Sequence, residues 1–142
     1  MRTLLGLLAV SVLVTGCQQQ PAEPAAPTTF TVSGQVVILA ATPGTSGTPC
    51  KGGPTYEDFT EGAQVTVADN AGVKVAVASM KAGKYPPPKD GDALSYLCQF
   101  GFEVPNVPEG KPLYDIQAGR ESRGSVTYQR GELNEPLTIT LG

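Results

Sequence analysis

From Phe30 onward the chain alternates. Phe30, Val32, Gly34, Val36, Ile38 and Ala40 fall on one face of an extended segment. Thr31, Ser33 and Gln35 fall on the other, which turns apolar at Val37 and Leu39. A period of two with many β-branched residues predicts a strand. Ala63, Val65 and Val67 alternate with Gln64, Thr66 and Ala68, and Val73, Val75 and Val77 alternate with Lys74 and Ala76. Asp69-Asn70-Ala71-Gly72 supplies turn chemistry between them, so this is the strongest hairpin signal in the chain. Cys98, Phe100, Phe102 and Val104 share a face of a further strand, which Pro105 is expected to end, with a turn over Val107-Pro108-Glu109-Gly110. Leu113 to Ala118 reads as a strand with Tyr114 and Ile116 facing in, Ser125 to Tyr128 as a short one, and Leu137, Ile139 and Leu141 as the last.

Two long connections interrupt this pattern. Ala41 to Gly62 is rich in Gly, Pro, Thr and Ser and carries Cys50. Lys81 to Asp92 contains Pro86-Pro87-Pro88 and Asp90-Gly91-Asp92, and Ala93 to Leu97 is expected to form a helical turn. No stretch sustains a helical period. About seven short strands joined by Gly/Pro turns predict an all-β fold, an antiparallel Greek-key β-sandwich.

The first residues carry a different pattern. Met1-Arg2 gives a positive start, Leu4 to Val14 is apolar except for Gly6 and Ser11, and Val14-Thr15-Gly16-Cys17 ends the run. The run is shorter than the about 20 residues that cross a bilayer, and its layout fits an export signal. The ending resembles the lipobox of bacterial lipoproteins, which are cut before the cysteine. That resemblance implies a signal peptide over residues 1–16 and a lipidated Cys17. An uncleaved membrane anchor is the alternative. Either way the domain is expected on the extracytoplasmic side of the cell membrane, held there by lipid on Cys17. Gln18 to Thr29 reads QQQPAEPAAPTT and cannot bury a core. Residues 17–29 are therefore expected to be the lipidated cysteine and a disordered tether, and residues 30–142 a single β-sandwich domain.

Composition narrows the chemistry. The chain has 10 basic and 13 acidic side chains with no basic cluster, so nucleic acid is not an expected partner. It has no histidine, which removes Ser-His-Asp and Cys-His catalysis and most zinc and iron sites. Once Cys17 is set aside, Cys50 and Cys98 remain. An even pair in an oxidising compartment favours a disulfide, with two buried free thiols as the alternative. No cofactor and no metal is expected, and the domain reads as a monomer.

Two sets of motifs carry a resemblance. Glu61-Gly62-Ala63-Gln64-Val65-Thr66-Val67 with Asp69-Asn70-Ala71-Gly72, and Val104-Pro105 through Val107-Pro108-Glu109-Gly110 to Tyr114-Asp115-Ile116, are similar to the transthyretin-like sandwiches, including carboxypeptidase regulatory-like and Cna-B-like domains. Cna-B-like domains often form an isopeptide bond from a lysine in the first strand. Phe30 to Ala40 contains none, so that cross-link is not expected. The loop Cys50, Gly52, Gly53, Tyr56, Glu57, Asp58, the strand Cys98, Phe100, Phe102 and the late Arg123-Gly124 resemble a group of small uncharacterised Gram-positive lipoproteins. This group implies fold and placement, and no activity.

The remaining candidates lie in the long loops. Glu57, Asp58 and Glu61 in the first and Asp90 and Asp92 in the second are oxygen donors of the kind calcium uses, though no ligand motif is complete. Solvated acidic loops are the plainer reading. Tyr56, Phe59 and Tyr96 either form a recognition surface with Glu57 and Asp58 or plug the sandwich end around the disulfide; plugging is the favoured reading. Arg120 and Arg123 are expected to pair with Asp115, Glu121 or Glu103. The functional expectation is a non-enzymatic binding or accessory module that contacts an envelope protein or glycan through Pro54 to Glu61 and Lys84 to Tyr96. The alternatives are a carbohydrate-processing hydrolase using loop carboxylates and a passive structural surface lipoprotein.

Overall fold

A computed structural model describes residues 22–142. The expected signal peptide, the lipidated Cys17 and the first residues of the tether lie outside the described residues. From residue 22 to residue 28 the chain has no regular structure and is exposed. Its end is tied to the domain where the Glu109 N–H donates to the Thr28 carbonyl (2.9 Å).

Among the described residues the fold is all-β, with seven strands in two sheets packed as a sandwich. The longest strands, β1 (Thr29–Gly44) and β4 (Ser95–Pro108), pair antiparallel. The remaining strands are β2 (Gln64–Asp69), β3 (Lys74–Ser79), β5 (Leu113–Ala118), β6 (Val126–Gln129) and β7 (Leu137–Thr140). One sheet has the order β4-β1-β7 and the other β3-β2-β5-β6. Single 3-10 turns occur at Pro54–Tyr56, Glu121–Arg123 and Arg130–Asn134.

The alternating residues meet between the sheets. Val32, Val36, Ile38, Cys98, Phe100, Phe102 and Val104 face Val65, Val67, Tyr114 and Ile116, all buried, with Leu137 and Ile139 at one side. Burying each large apolar side chain contributes about 1.5–3 kcal/mol, which is why the period-two stripe orients each strand. Gly34 is the gap in the β1 stripe. A Cβ there would lie 2.5 Å from the Leu137 carbonyl oxygen and 2.9 Å from Phe102 Cζ, so its absence lets β7 and Phe102 close on β1.

Five details differ from the expectations. First, β1 and β7 run parallel, with Gly34 opposite Leu137 and Val37 opposite Thr140, so the smaller sheet is mixed. Second, β1 continues past Ala40 to Gly44, where it meets β4 again at Ser95. Third, the expected helical turn at Ala93 to Leu97 is instead a bend at Ala93 and Leu94 followed by the start of β4 at Ser95, because Leu97 sits opposite Leu39 and ladder pairing outweighs weak local preference. Fourth, Pro105 does not end its strand. Phe30 faces Val107 while Val32 faces Val104, so Pro105 and Asn106 together oppose Thr31. This is a bulge with Asn106 at φ 58°, a place where the missing Pro N–H costs no ladder bond and Asn tolerates the left-handed conformation. The strand then resumes and buries Val107.

Fifth, a second bulge interrupts the hairpin. Val67 faces Ala76 but Ala68 faces Lys74. The extra residue flips the second half of β3. Ala76 and Ala78 therefore face the core beside Val67 and Val65, while Val77 is 49% exposed.

Candidate functional site

The tether enters at Thr29, opposite Pro108, and the long loops emerge beyond Ile38, opposite Cys98. Nine residue steps of β1 separate these levels, roughly 30 Å along the strand. The loop surface is thus at the end of the sandwich away from the tether.

Backbone bonds stitch the two long loops to each other and to β1. Ala41 N–H donates to Lys51 O (2.9 Å), Gly53 N–H to Leu39 O (2.9 Å), Cys50 N–H to Gly83 O (3.1 Å) and Tyr85 N–H to Thr48 O (3.0 Å). Lys84 and Gln99 exchange a pair of bonds at 3.0 Å, which extends the sheet beyond β4. The disulfide Cys50–Cys98 lies at the centre, with a Cα–Cα distance of 5.7 Å. Cys98 is fully buried, whereas Cys50 is only partly so. Tyr85, which could have joined a loop surface, is 8% exposed, and its hydroxyl donates to Thr42 O (2.7 Å).

Within the first loop the chain turns at Pro54–Tyr56, whose Tyr56 N–H donates to Gly53 O (2.8 Å), and again where Phe59 N–H donates to Tyr56 O (3.0 Å). These turns drive Tyr56 and Phe59 into the core. Phe59 is 1% exposed, and its ring lies 6.2 Å from Tyr56 and 6.3 Å from Phe100. Both aromatics therefore plug the sandwich end, the favoured reading of the sequence. Tyr96 does not: it is 59% exposed. It lines a separate hollow of about 190 Å³ with Pro87, Pro88, Lys89 and Leu94.

Asp58 lies between the plugging aromatics and is spoken for. It accepts Arg123 Nε at 2.8 Å, Arg123 Nη2 at 2.5 Å and the Arg120 N–H at 3.2 Å. Arg123 also donates to Thr55 O. Its guanidinium sits 5.1 Å from the Tyr56 ring centre and 5.0 Å from that of Phe59. Hydrogen bonding by Arg123 holds the Asp58 carboxyl far below the usual carboxylate range, and Asp58 in turn raises Arg123. Gly119, at φ 74°, permits the approach: a Cβ there would lie 2.6 Å from Asp58 Oδ2. The expected partners of the two arginines are thus corrected. Asp115 instead accepts Thr127 Oγ1, and Glu121 pairs with Lys74 at 2.6 Å.

Glu57 and Glu61 have the opposite fate. Both are exposed and line a cleft of about 480 Å³. Ala41, Pro49, Cys50, Lys51, Thr60 and Ala82 also line it, with the buried rings of Phe59 and Phe100 beneath. Among the described residues, Glu57, Glu61 and Lys51 form no ion pair. Also among the described residues, no three His, Cys, Asp or Glu side chains converge as metal ligands would. Asp90 and Asp92 do not join the first-loop carboxylates there.

Of the sequence candidates, Tyr56, Asp58 and Phe59 form one packed cluster beside the cleft, Glu57 is on its rim, and Tyr96 is elsewhere. Sequence reasoning missed Lys51, Phe100 and Arg123 as parts of this region. Phe100 and Arg123 each had a signal, their places in the Cys98-Phe100-Phe102 strand and the late Arg-Gly pair, but neither motif named a partner. The class defined is a disulfide-closed β-sandwich with an open cleft at its loop end. No family model matches the chain, and no curated protein or solved structure matches it.

Proposed function

We propose that this chain is a lipid-anchored, non-enzymatic binding module of the cell envelope, with a transthyretin-like sandwich that presents its loop end to a protein or glycan. The observation that carries the reading is the position of the cleft. It opens about 30 Å along β1 from the tether root, so an anchor at Cys17 would leave it accessible at the end of the domain remote from its attachment. A rigid sandwich with binding loops at one end is a common way to hold a recognition surface. Tethering by lipid and a Pro-rich spacer would supply position and reach.

Cross-linking of the full lipoprotein in intact cells, followed by mass spectrometry, tests the reading. The comparison proteins carry Glu57→Lys with Glu61→Lys, or Tyr96→Ala, all at exposed positions. A reproducible partner that one of these variants loses supports a loop-end binding module. No partner beyond lipid supports a passive surface protein. A hydrolase is the second reading, favoured by one observation: Glu57 and Glu61 line the same cleft. It predicts that envelope polysaccharide releases reducing ends with the native protein and not with Glu57→Gln or Glu61→Gln.

A further inference from the structure

The first loop holds three carboxylates within five residues, and the structure treats them differently. Asp58 is neutralised by Arg123 and has a structural task. Glu57 and Glu61 project onto the cleft rim with no cation against them among the described residues. The lining beside them is largely apolar, with Ala41, Pro49, Ala82 and the Cys50 side chain at the surface and the buried Phe59 and Phe100 rings beneath. Among the described residues Lys51 is the one basic side chain lining the cleft, against Glu57 and Glu61, so the mouth carries a net negative charge.

Two properties therefore coincide: a concave apolar wall and an acidic rim. An uncharged apolar ligand would leave the rim carboxylates partly stripped of water without compensation. An anion would meet two like charges and one opposite charge. An apolar group that ends in a cation satisfies both the wall and the rim. Lysine and arginine side chains have this form, an aliphatic stem with a charged head. The volume, about 480 Å³, exceeds one such side chain and leaves room for apolar neighbours.

We propose that the cleft is a peptide-binding site that takes a basic side chain flanked by apolar residues, with Glu57 and Glu61 meeting the cation. This deepens the binding-module reading and rests on it. The stem lies against Ala41, Pro49, Ala82 and the Cys50 side chain, and Lys51 in the same lining disfavours a second basic residue.

The test is titration of the isotope-labelled full chain with three capped tripeptides, Leu-Lys-Leu, Leu-Gln-Leu and Leu-Glu-Leu, followed by amide chemical shifts. The expected result is saturable shifts at Lys51, Thr60, Glu61 and Gly83, with Leu-Lys-Leu bound about tenfold tighter than Leu-Glu-Leu, the value of two exposed ion pairs near 0.7 kcal/mol each. Glu57→Gln with Glu61→Gln, checked by unchanged far-UV circular dichroism, should reduce that preference to about twofold or less, and added salt should do the same. Equal binding of the three peptides, shifts confined to Tyr96 and Leu94, or no saturable shift overturns the proposal. If cross-linking still captures a loop-end partner while the peptide series fails, the binding module stands and only its ligand chemistry is wrong.

Discussion

At the tether end, Phe30, Tyr114 and the Asp69 turn close the core with residues of the sheets themselves, whereas at the loop end Tyr56 and Phe59 reach in from a segment outside them. The hydrogen bonds that hold the tether-end turns are short-range. Asp69 Oδ1 accepts the N–H groups of Ala71 (2.9 Å) and Val73 (3.0 Å), and Tyr114 donates to Pro108 O at 2.6 Å. Arg130 covers the Phe30 ring at 3.7 Å and pairs with Glu109. The loop end depends on contacts between distant segments: a disulfide between residues 48 apart and an Asp58–Arg123 pair 65 apart. The end closed by long loops carries a cleft of about 480 Å³, in keeping with loops that run over the surface and satisfy their backbone groups there.

The comparison sharpens into measurements of unequal size. Cys50→Ala with Cys98→Ala should cost about 4 kcal/mol by the chain-entropy argument, read by urea denaturation. Hydrogen exchange in this variant should accelerate at residues 47–61 and 82–94 while the Asp69 turn keeps its protection. Equal acceleration at both ends would remove the distinction between them.

Asp58→Asn should cost roughly 2 kcal/mol, the range for a partly buried hydrogen bond to a charged group. The carboxyl titrates lower in the folded protein than its ordinary value of 3.8, so the unfolded chain takes up its proton first. The stabilisation is therefore full above about pH 4 and declines as the pH falls further. Thermal melts of native protein and variant should differ by a constant amount from pH 7 to pH 5 and converge in stronger acid. A gap that closes already at pH 5 contradicts the pairing.

Tyr114→Phe, at the other end, should cost about 1 kcal/mol for the lost bond to Pro108 and leave exchange at Tyr56 to Phe59 unchanged. Tyr96→Ala should move stability by less than about 0.5 kcal/mol, since the ring is exposed. A destabilisation above 1 kcal/mol would show that Tyr96 supports the loop end after all.

Much of the fold was legible in particular residues. Cys98, Phe100, Phe102 and Val104 alternate without a break, and all four are buried as read. Tyr114 and Ile116 face in as their spacing required, and Cys50 and Cys98 form the bridge their parity suggested. The errors fall where pairing departs from a simple ladder: at Pro105-Asn106, at the β3 bulge and at Ala93 to Leu97. In the candidate site, Tyr56 and Phe59 were recognisable as plugs, but Tyr96 belongs to another hollow and Asp58 to Arg123. Nothing in the local sequence marks which of Glu57, Asp58 and Glu61 is paired.

The sequence by itself determined the β class, the hairpin, the inward face of most strands and the cysteine pair, because alternation and turn chemistry are properties of a chain over a few residues. Only the tertiary structure decided the parallel seating of β7 on β1, the continuation of β4 through a bulge, the neutralisation of Asp58 and the opening lined by Glu57 and Glu61. Each of these depends on how segments far apart in the chain meet, and that is set by the packing of the whole core.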